Sequence, residues 1–290
     1  MPRGLNRSGN FSSGTPITLP HEFGNPVTLP KNFGNVMTHG SDPTQFGNPV
    51  TWTPDPAHFG NPISGSTPPP PSNPAPTVVQ HKMMFDGGGV TPNSAIVLDA
   101  PATPGNSIYV YIQFAAGGTS VSVPTDDALN VYTLVRGPDV FTSFIGQSSC
   151  YLYKCAVVAG APTTITVHGS ANANAKFPMG VAVETTPSTV DASQYAAVSY
   201  TTTDTDGGAL VTSADDLLLL FAIYVNGGGS ATFSAGTGWT LVDHLNDTNF
   251  LGAAESFSTQ HAATPGSQEV FVKLSTNGPP GGMSSIALKG

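Results

Sequence analysis

Charge is scarce in this chain. Only 9% of its 290 residues are Asp, Glu, Lys or Arg, where soluble domains carry roughly a quarter. Solvation therefore falls to Ser, Thr and Asn, a habit that suits strand-rich proteins. The formal net charge is −9. Residues 1–77 hold three bases (Arg3, Arg7, Lys31) and three acids (Glu22, Asp42, Asp55), which cancel, so the whole excess sits in residues 78–290. An acidic domain without a Lys/Arg cluster lacks the phosphate-neutralising surface that nucleic-acid binding needs.

Cysteine is nearly absent too. Cys150 and Cys155 are five apart on an expected strand, which points them to opposite faces and excludes a disulfide within it. Both read as packing thiols, and nothing forces an oxidising compartment. The longest apolar run, 217–225, falls far short of the ~20 residues that cross a bilayer. The start, Met-Pro-Arg-Gly-Leu-Asn-Arg, has no apolar signal core. The expectation is a chain made soluble, with no membrane span and no classical export route.

Catalytic grammar is missing as well. Seven histidines (21, 39, 58, 81, 168, 244, 261) are scattered without metal-ligand spacing. No Gly-x-Ser-x-Gly elbow occurs, and the glycine triplets at 87–89 and 227–229 lack the Lys and helix of a phosphate loop. The expectation is no enzyme, no catalytic residue, no cofactor and no metal.

What is present begins with a repeat. Phe-Gly-Asn starts at Phe23, Phe33, Phe46 and Phe59, mostly followed by Pro and then Val or Ile, as in Phe46-Gly-Asn-Pro-Val-Thr-Trp-Thr-Pro. Gly-Asn makes a tight turn, Pro holds the preceding Asn extended, and Val-Thr-Leu or Val-Thr-Trp is a short strand-like stub. Each unit thus offers one aromatic and one aliphatic knob and is too small to bury them alone. Low-complexity linker is one reading of residues 1–63. A docking strap is favoured, because linkers shed aromatics and every copy here keeps its Phe. Repeated knobs meeting repeated pockets raise avidity. The docking candidates are Phe23, Asn25, Val27, Phe33, Asn35, Phe46, Asn48, Val50, Phe59, Asn61 and Ile63. Residues 64–77, with four consecutive prolines at 68–71, form a hinge that favours stiff polyproline II.

From residue 78 onward, β-type segments alternate with Gly, Pro, Asn and Asp clusters. The clearest strands are expected at 95–98, 107–115, 131–135, 150–158, 163–168, 180–185, 217–225, 239–245, 252–257, 269–274 and 284–288. Residues 217–225, apolar throughout, should be a central strand. No segment has helical periodicity. The fold class is all-β: an extended N-terminal arm (1–63), the hinge (64–77), and one antiparallel two-sheet sandwich, jelly-roll-like, over 78–290.

Several motifs follow one another in this domain: Thr125-Asp-Asp-Ala-Leu-Asn-Val-Tyr-Thr-Leu-Val135, Tyr151-Leu-Tyr-Lys-Cys155, Thr163-Thr-Ile-Thr-Val167, Val181-Ala-Val-Glu184, Ala214-Asp-Asp-Leu-Leu-Leu219, Gly238-Trp-Thr-Leu-Val242 and Ser285-Ile-Ala-Leu-Lys289. In this order, residues 94–290 resemble a β-sandwich module common in phage and bacterial surface proteins. The arm and hinge are similar in style to the virion-anchoring segments of phage fibre and decoration proteins. The resemblance implies a bacteriophage virion structural protein at the virion surface: a short fibre, spike or decoration. Its arm would hold other virion proteins (capsid, neck or tail), and the chain would be a homo-oligomer, with a trimer favoured.

Asp126-Asp127 and Asp215-Asp216 stand at strand starts, where Asp makes turns. Asp204-Thr-Asp-Gly-Gly208 is half of a calcium loop without the rest. The alternative function is a glycan-binding adhesin recognising host-cell polysaccharide for host attachment, with Tyr195, Tyr200, Phe233 and Trp239 as a stacking surface. For Trp239 the core is the favoured place.

Overall fold

A computed structural model describes residues 74–85, 93–115, 122–143, 146–169, 176–213, 215–225, 231–246, 253–277 and 280–290. The chain divides into two compact units, Met1–Pro70 and Pro71–Gly290, and every described residue belongs to the second. The docking candidates of the arm, from Phe23 to Ile63, lie outside the described residues.

The described chain is all-β and antiparallel. Its first half holds β1 (Val78–Phe85), β2 (Asn93–Val97), β3 (Ser107–Ala115), β4 (Ser122–Asp126), β5 (Tyr132–Ser143), β6 (Gly146–Ala156), β7 (Thr164–His168) and β8 (Lys176–Thr185). The second half holds β9 (Thr189–Ser199), β10 (Thr205–Thr212), β11 (Asp216–Val225), β12 (Phe233–Ala235), β13 (Thr240–Asn246), β14 (Ala253–Ala262), β15 (Gly266–Leu274) and β16 (Pro280–Lys289).

These strands build four sheets: β1-β8-β3-β6-β5, β2-β7-β4, β13-β14-β11-β16-β9 and β10-β15-β12. Adding eight to each label of the first pair of sheets reproduces the second pair, strand for strand. In each half the pairing is nested: β1 with β8, β2 with β7 and β3 with β6, then β9 with β16, β10 with β15 and β11 with β14. β4 lies beside β5, and β12 beside β13. Nested pairs folded over into two sheets are the jelly-roll path. Where the sequence led us to expect one sandwich over 78–290, there are two in tandem, each pairing a five-stranded sheet with a three-stranded one.

Three cores hold them. Ile96, Ile108, Val110, Ile112, Ile165 and Val167 fill the first sandwich. Leu218, Leu220, Phe233, Trp239, Val270 and Val272 fill the second. The third core lies between the two five-stranded sheets and joins Tyr109, Tyr111, Leu152, Val181 and Val183 to Leu219, Phe221, Ile223, Phe257 and Ile286. The described strands therefore stack as sheets of three, five, five and three.

That stack explains the patterning. Side chains alternate faces along a strand, and in β3 one face serves the first sandwich while Tyr109 and Tyr111 serve the seam. All ten residues of β11 are buried, because even-numbered residues face one core and odd-numbered ones the other. A central strand in a doubly covered sheet reads as an unbroken apolar run. Cys150 lies in the seam and Cys155 in the first sandwich core, both as free thiols on opposite faces of one sheet.

The seam has a pseudo-twofold relation. β1 faces β13 at one edge and β5 faces β9 at the other, which exchanges equivalent strands of the two halves. The equivalent residues Tyr111 and Phe221 stack on each other, ring centroids 5.1 Å apart. This is the self-complementary geometry of a two-fold dimer, built within one chain.

Candidate functional site

The aromatic residues proposed for glycan stacking take internal places. Tyr200, Phe233 and Trp239 are buried members of the second sandwich core. Tyr200 sits edge-on to Phe233 at 5.2 Å, and its hydroxyl donates to the Gly282 carbonyl at 2.8 Å. Trp239 donates its indole N–H to the Glu269 carbonyl at 3.0 Å. Tyr195 is half-buried against the seam, with Arg136 over its ring at 5.9 Å. The structure thus corrects the stacking surface: three of its four members offer no face to solvent, since large rings gain more from core burial on a charge-poor scaffold.

The carboxylate pairs are turn and anchor groups. Asp126 Oδ1 accepts the backbone N–H groups of Ala128 and Asn130, and Oδ2 accepts the Tyr132 hydroxyl at 3.2 Å. Asp127 accepts from the backbone and hydroxyl of Thr163. Burial is the largest single effect and raises its carboxyl, but the Thr163 and neighbouring backbone donors together outweigh it and hold the carboxyl below the ordinary range. Asp204 accepts from Thr237 at the backbone and the hydroxyl and lies 3.6 Å from Lys273, while Asp206 accepts from Gly208 N–H. Their oxygens serve local donors and do not converge. Among the described residues no group of three or more His, Cys, Asp or Glu is placed to hold a metal.

One polar knot ties the start of β9 to β16 and to the β10–β11 turn. Asp191 accepts from Lys289 Nζ at 2.8 Å and from the backbone and hydroxyl of Ser213, and Ser213 N–H also reaches Asp216 Oδ2 at 2.9 Å. The Lys289 contact draws the Asp191 carboxyl down to about 2. Burial and the neighbouring Asp191 push Asp216 upward.

The seam carries a second, different polar set, which sequence reasoning missed. His81 on β1 reaches Asp243 on β13 at 3.1 Å and packs its ring against Phe257 at 5.6 Å. Glu255 on β14 is 0% exposed, and neither carboxylate oxygen has a partner among the described residues. Burial first, and then the nearby Asp243, push its carboxyl well above the ordinary value. The side-chain amide of Gln113 and the hydroxyl of Tyr111 are likewise buried and unpartnered. Burial pushes the Cys150 thiol up to about 12, so it is an inert packing group. A buried acid inside a strand repeat is visible in Ala253-Ala-Glu-Ser-Phe257 only once the strand is known to be covered on both faces.

Three apolar side chains are the most exposed of the large hydrophobics among the described residues. Leu129, Val131 and Val158 are 83%, 75% and 79% exposed. Asn130, between Leu129 and Val131, ties this turn to the 158–159 segment, its side-chain oxygen accepting the backbone N–H groups of Val158 and Ala159. Leu129 has φ of 61°, a region that branched residues seldom occupy.

No family model, curated protein or solved structure matches this chain.

Proposed function

We propose that the chain is a structural component of a bacteriophage particle, a short fibre, spike or decoration at the virion surface. Its arm docks on other virion proteins, and its paired jelly rolls are what the particle displays. The observation that carries this reading is the fourfold Phe-Gly-Asn unit ahead of a proline hinge, joined to a charge-poor β-sandwich body. Repeated, self-insufficient knobs suit a symmetric lattice of pockets, where each added contact raises avidity without a new kind of bond. A homo-oligomer, with a trimer favoured, fits the same lattice. The body supports a display role: its large side chains are spent on three stacked cores, and the carboxylates of Asp126, Asp127, Asp191 and Asp204 serve turns and strand anchors.

The glycan-binding alternative loses three of the four side chains it rested on, because Tyr200, Phe233 and Trp239 are internal. The test of the virion reading is to change Phe23, Phe33, Phe46 and Phe59 together to Ser and follow incorporation into particles. Loss of incorporation with unchanged unfolding of the body is the expected result. Normal incorporation would end the reading.

A further inference from the structure

Glu255 is the least explained group in the described molecule. Tyr111 pairs with Leu152 of β6 as Phe221 pairs with Phe257 of β14. Two residues back on the same faces stand Cys150 and Glu255, so these two occupy equivalent places in the twin sheets. One half puts a thiol into the seam there, and the other puts a carboxyl group. A buried carboxylate elsewhere shows what satisfaction looks like in this protein: Glu184 accepts from Thr103 N–H at 2.8 Å, Asn106 Nδ2 at 2.5 Å and Gln80 Nε2 at 2.6 Å. Glu255 has none of this among the described residues.

We infer that the seam between the two sandwiches is a proton-dependent lock, closed around an uncharged Glu255 and loosened when that carboxyl ionises. An ion without a partner in an apolar layer is strongly disfavoured, whereas the protonated acid is tolerated as a small polar group. The groups facing the same layer do not relieve it. On its own sheet, β11 presents Ile223, and β13 presents Asp243, which repels a second negative charge. From the opposite sheet, β8 presents Met179, Val181 and Val183, β3 presents Tyr111 and Gln113, and β6 presents Cys150. β1 presents His81, which is held by Asp243. Towards the other edge, β9 presents Tyr195, and the nearest guanidinium, Arg136, is engaged with Asp139 at 2.7 Å.

The sign follows from linkage. The closed state keeps its proton above the pH at which an opened or unfolded chain releases it, so stability is complete below the ordinary value of 4.5 and falls as pH rises. The fall is up to about tenfold in the closed-to-open ratio per pH unit, until the buried group itself ionises.

The two thiols give a direct readout in the intact chain. Cys150 is in the seam and Cys155 in a sandwich core, so a thiol reagent that labels Cys150 faster than Cys155 reports seam opening rather than global unfolding. From about pH 5 to about pH 8, the ratio of Cys150 to Cys155 labelling should rise at least tenfold in the wild type. It should stay flat in Glu255→Gln, which should also be the more stable protein at the upper pH. A flat wild-type ratio, or equal slopes in both proteins, overturns the lock. A measurement on the wild type alone covers the case in which the variant does not fold. With the four glutamates (22, 184, 255, 269) labelled at the carboxyl carbon, one resonance should keep its protonated position at neutral pH. Ionisation of all four near the ordinary range would equally refute the proposal.

Discussion

Between β4 and β5 the first sandwich uses residues 127–131, and the second makes the same passage between β12 and β13 with residues 236–239. The longer turn is organised by Asp126 and Asn130 and leaves Leu129 and Val131 in solvent. The shorter one is Gly-Thr-Gly-Trp and closes by sending Trp239 into the core. Beyond that passage the two halves run alike, from the Tyr132-Thr-Leu-Val and Trp239-Thr-Leu-Val starts to the paired five-stranded sheets. The common path comes from nested strand pairing and alternating burial. Individuality shows in turn and strand lengths, in the exposed Leu129 and Val131 of the first sandwich, and in one carboxyl group in the second half of the seam. A duplicated scaffold keeps what packing demands and is free to vary elsewhere.

The comparison can be broken most forcefully at its centre. Phe221 stacks on both Tyr111 and Phe257, at 5.1 and 5.6 Å. Phe221→Ala should cost about 3–5 kcal/mol in denaturant unfolding and should weaken both halves together. Next is Gly281, where a Cβ would meet the Ile223 carbonyl and the Tyr200 ring. Gly281→Ala should destabilise by about 1–3 kcal/mol through overpacking, read as a lower thermal midpoint. The equivalent aromatic starts come third. Trp239→Phe leaves the Glu269 carbonyl without its indole donor, and Tyr132→Phe leaves Asp126 with its other donors intact. Both should lose about 1 kcal/mol, with the Trp change the larger because it also removes ring area.

The smallest effects belong to the surface. Leu129→Asn relieves a left-handed branched residue and should gain up to about 1 kcal/mol, visible as a small rise in midpoint. The Asp191–Lys289 pair is largely exposed, so Asp191→Asn should cost well under about 1 kcal/mol. Because the Asp191 carboxyl is depressed to about 2, the contribution of that pair is present above the ordinary value of 3.8 and fades as pH falls towards 2. Comparing acid titrations of the two proteins checks this.

Much of the fold was legible in the sequence. The eleven strands expected from alternation and turn clusters all correspond to observed strands, and the separation of Cys150 from Cys155 followed from strand periodicity alone. The strands without a clear sequence signal are β1, β4, β9, β10 and β12, and every one lies at the edge of its sheet. Edge strands are covered on fewer sides, so they tolerate Pro124, the Gly207-Gly208 pair and the three-residue Phe-Ser-Ala of β12. The doubling into two sandwiches was hidden for a related reason. Jelly-roll pairing is long-range, and its trace in sequence is thin: two Thr-Leu-Val starts and the Ile165-x-Val and Val270-x-Val strands. The aromatic surface failed because composition does not distinguish a ring offered to solvent from one that closes a core.

The claim that the paired sandwiches are one body sharing a third core is tested most directly by calorimetry of residues 71–290. We predict a single unfolding transition whose calorimetric and van't Hoff enthalpies agree. Two resolved transitions, one for each sandwich, would contradict it.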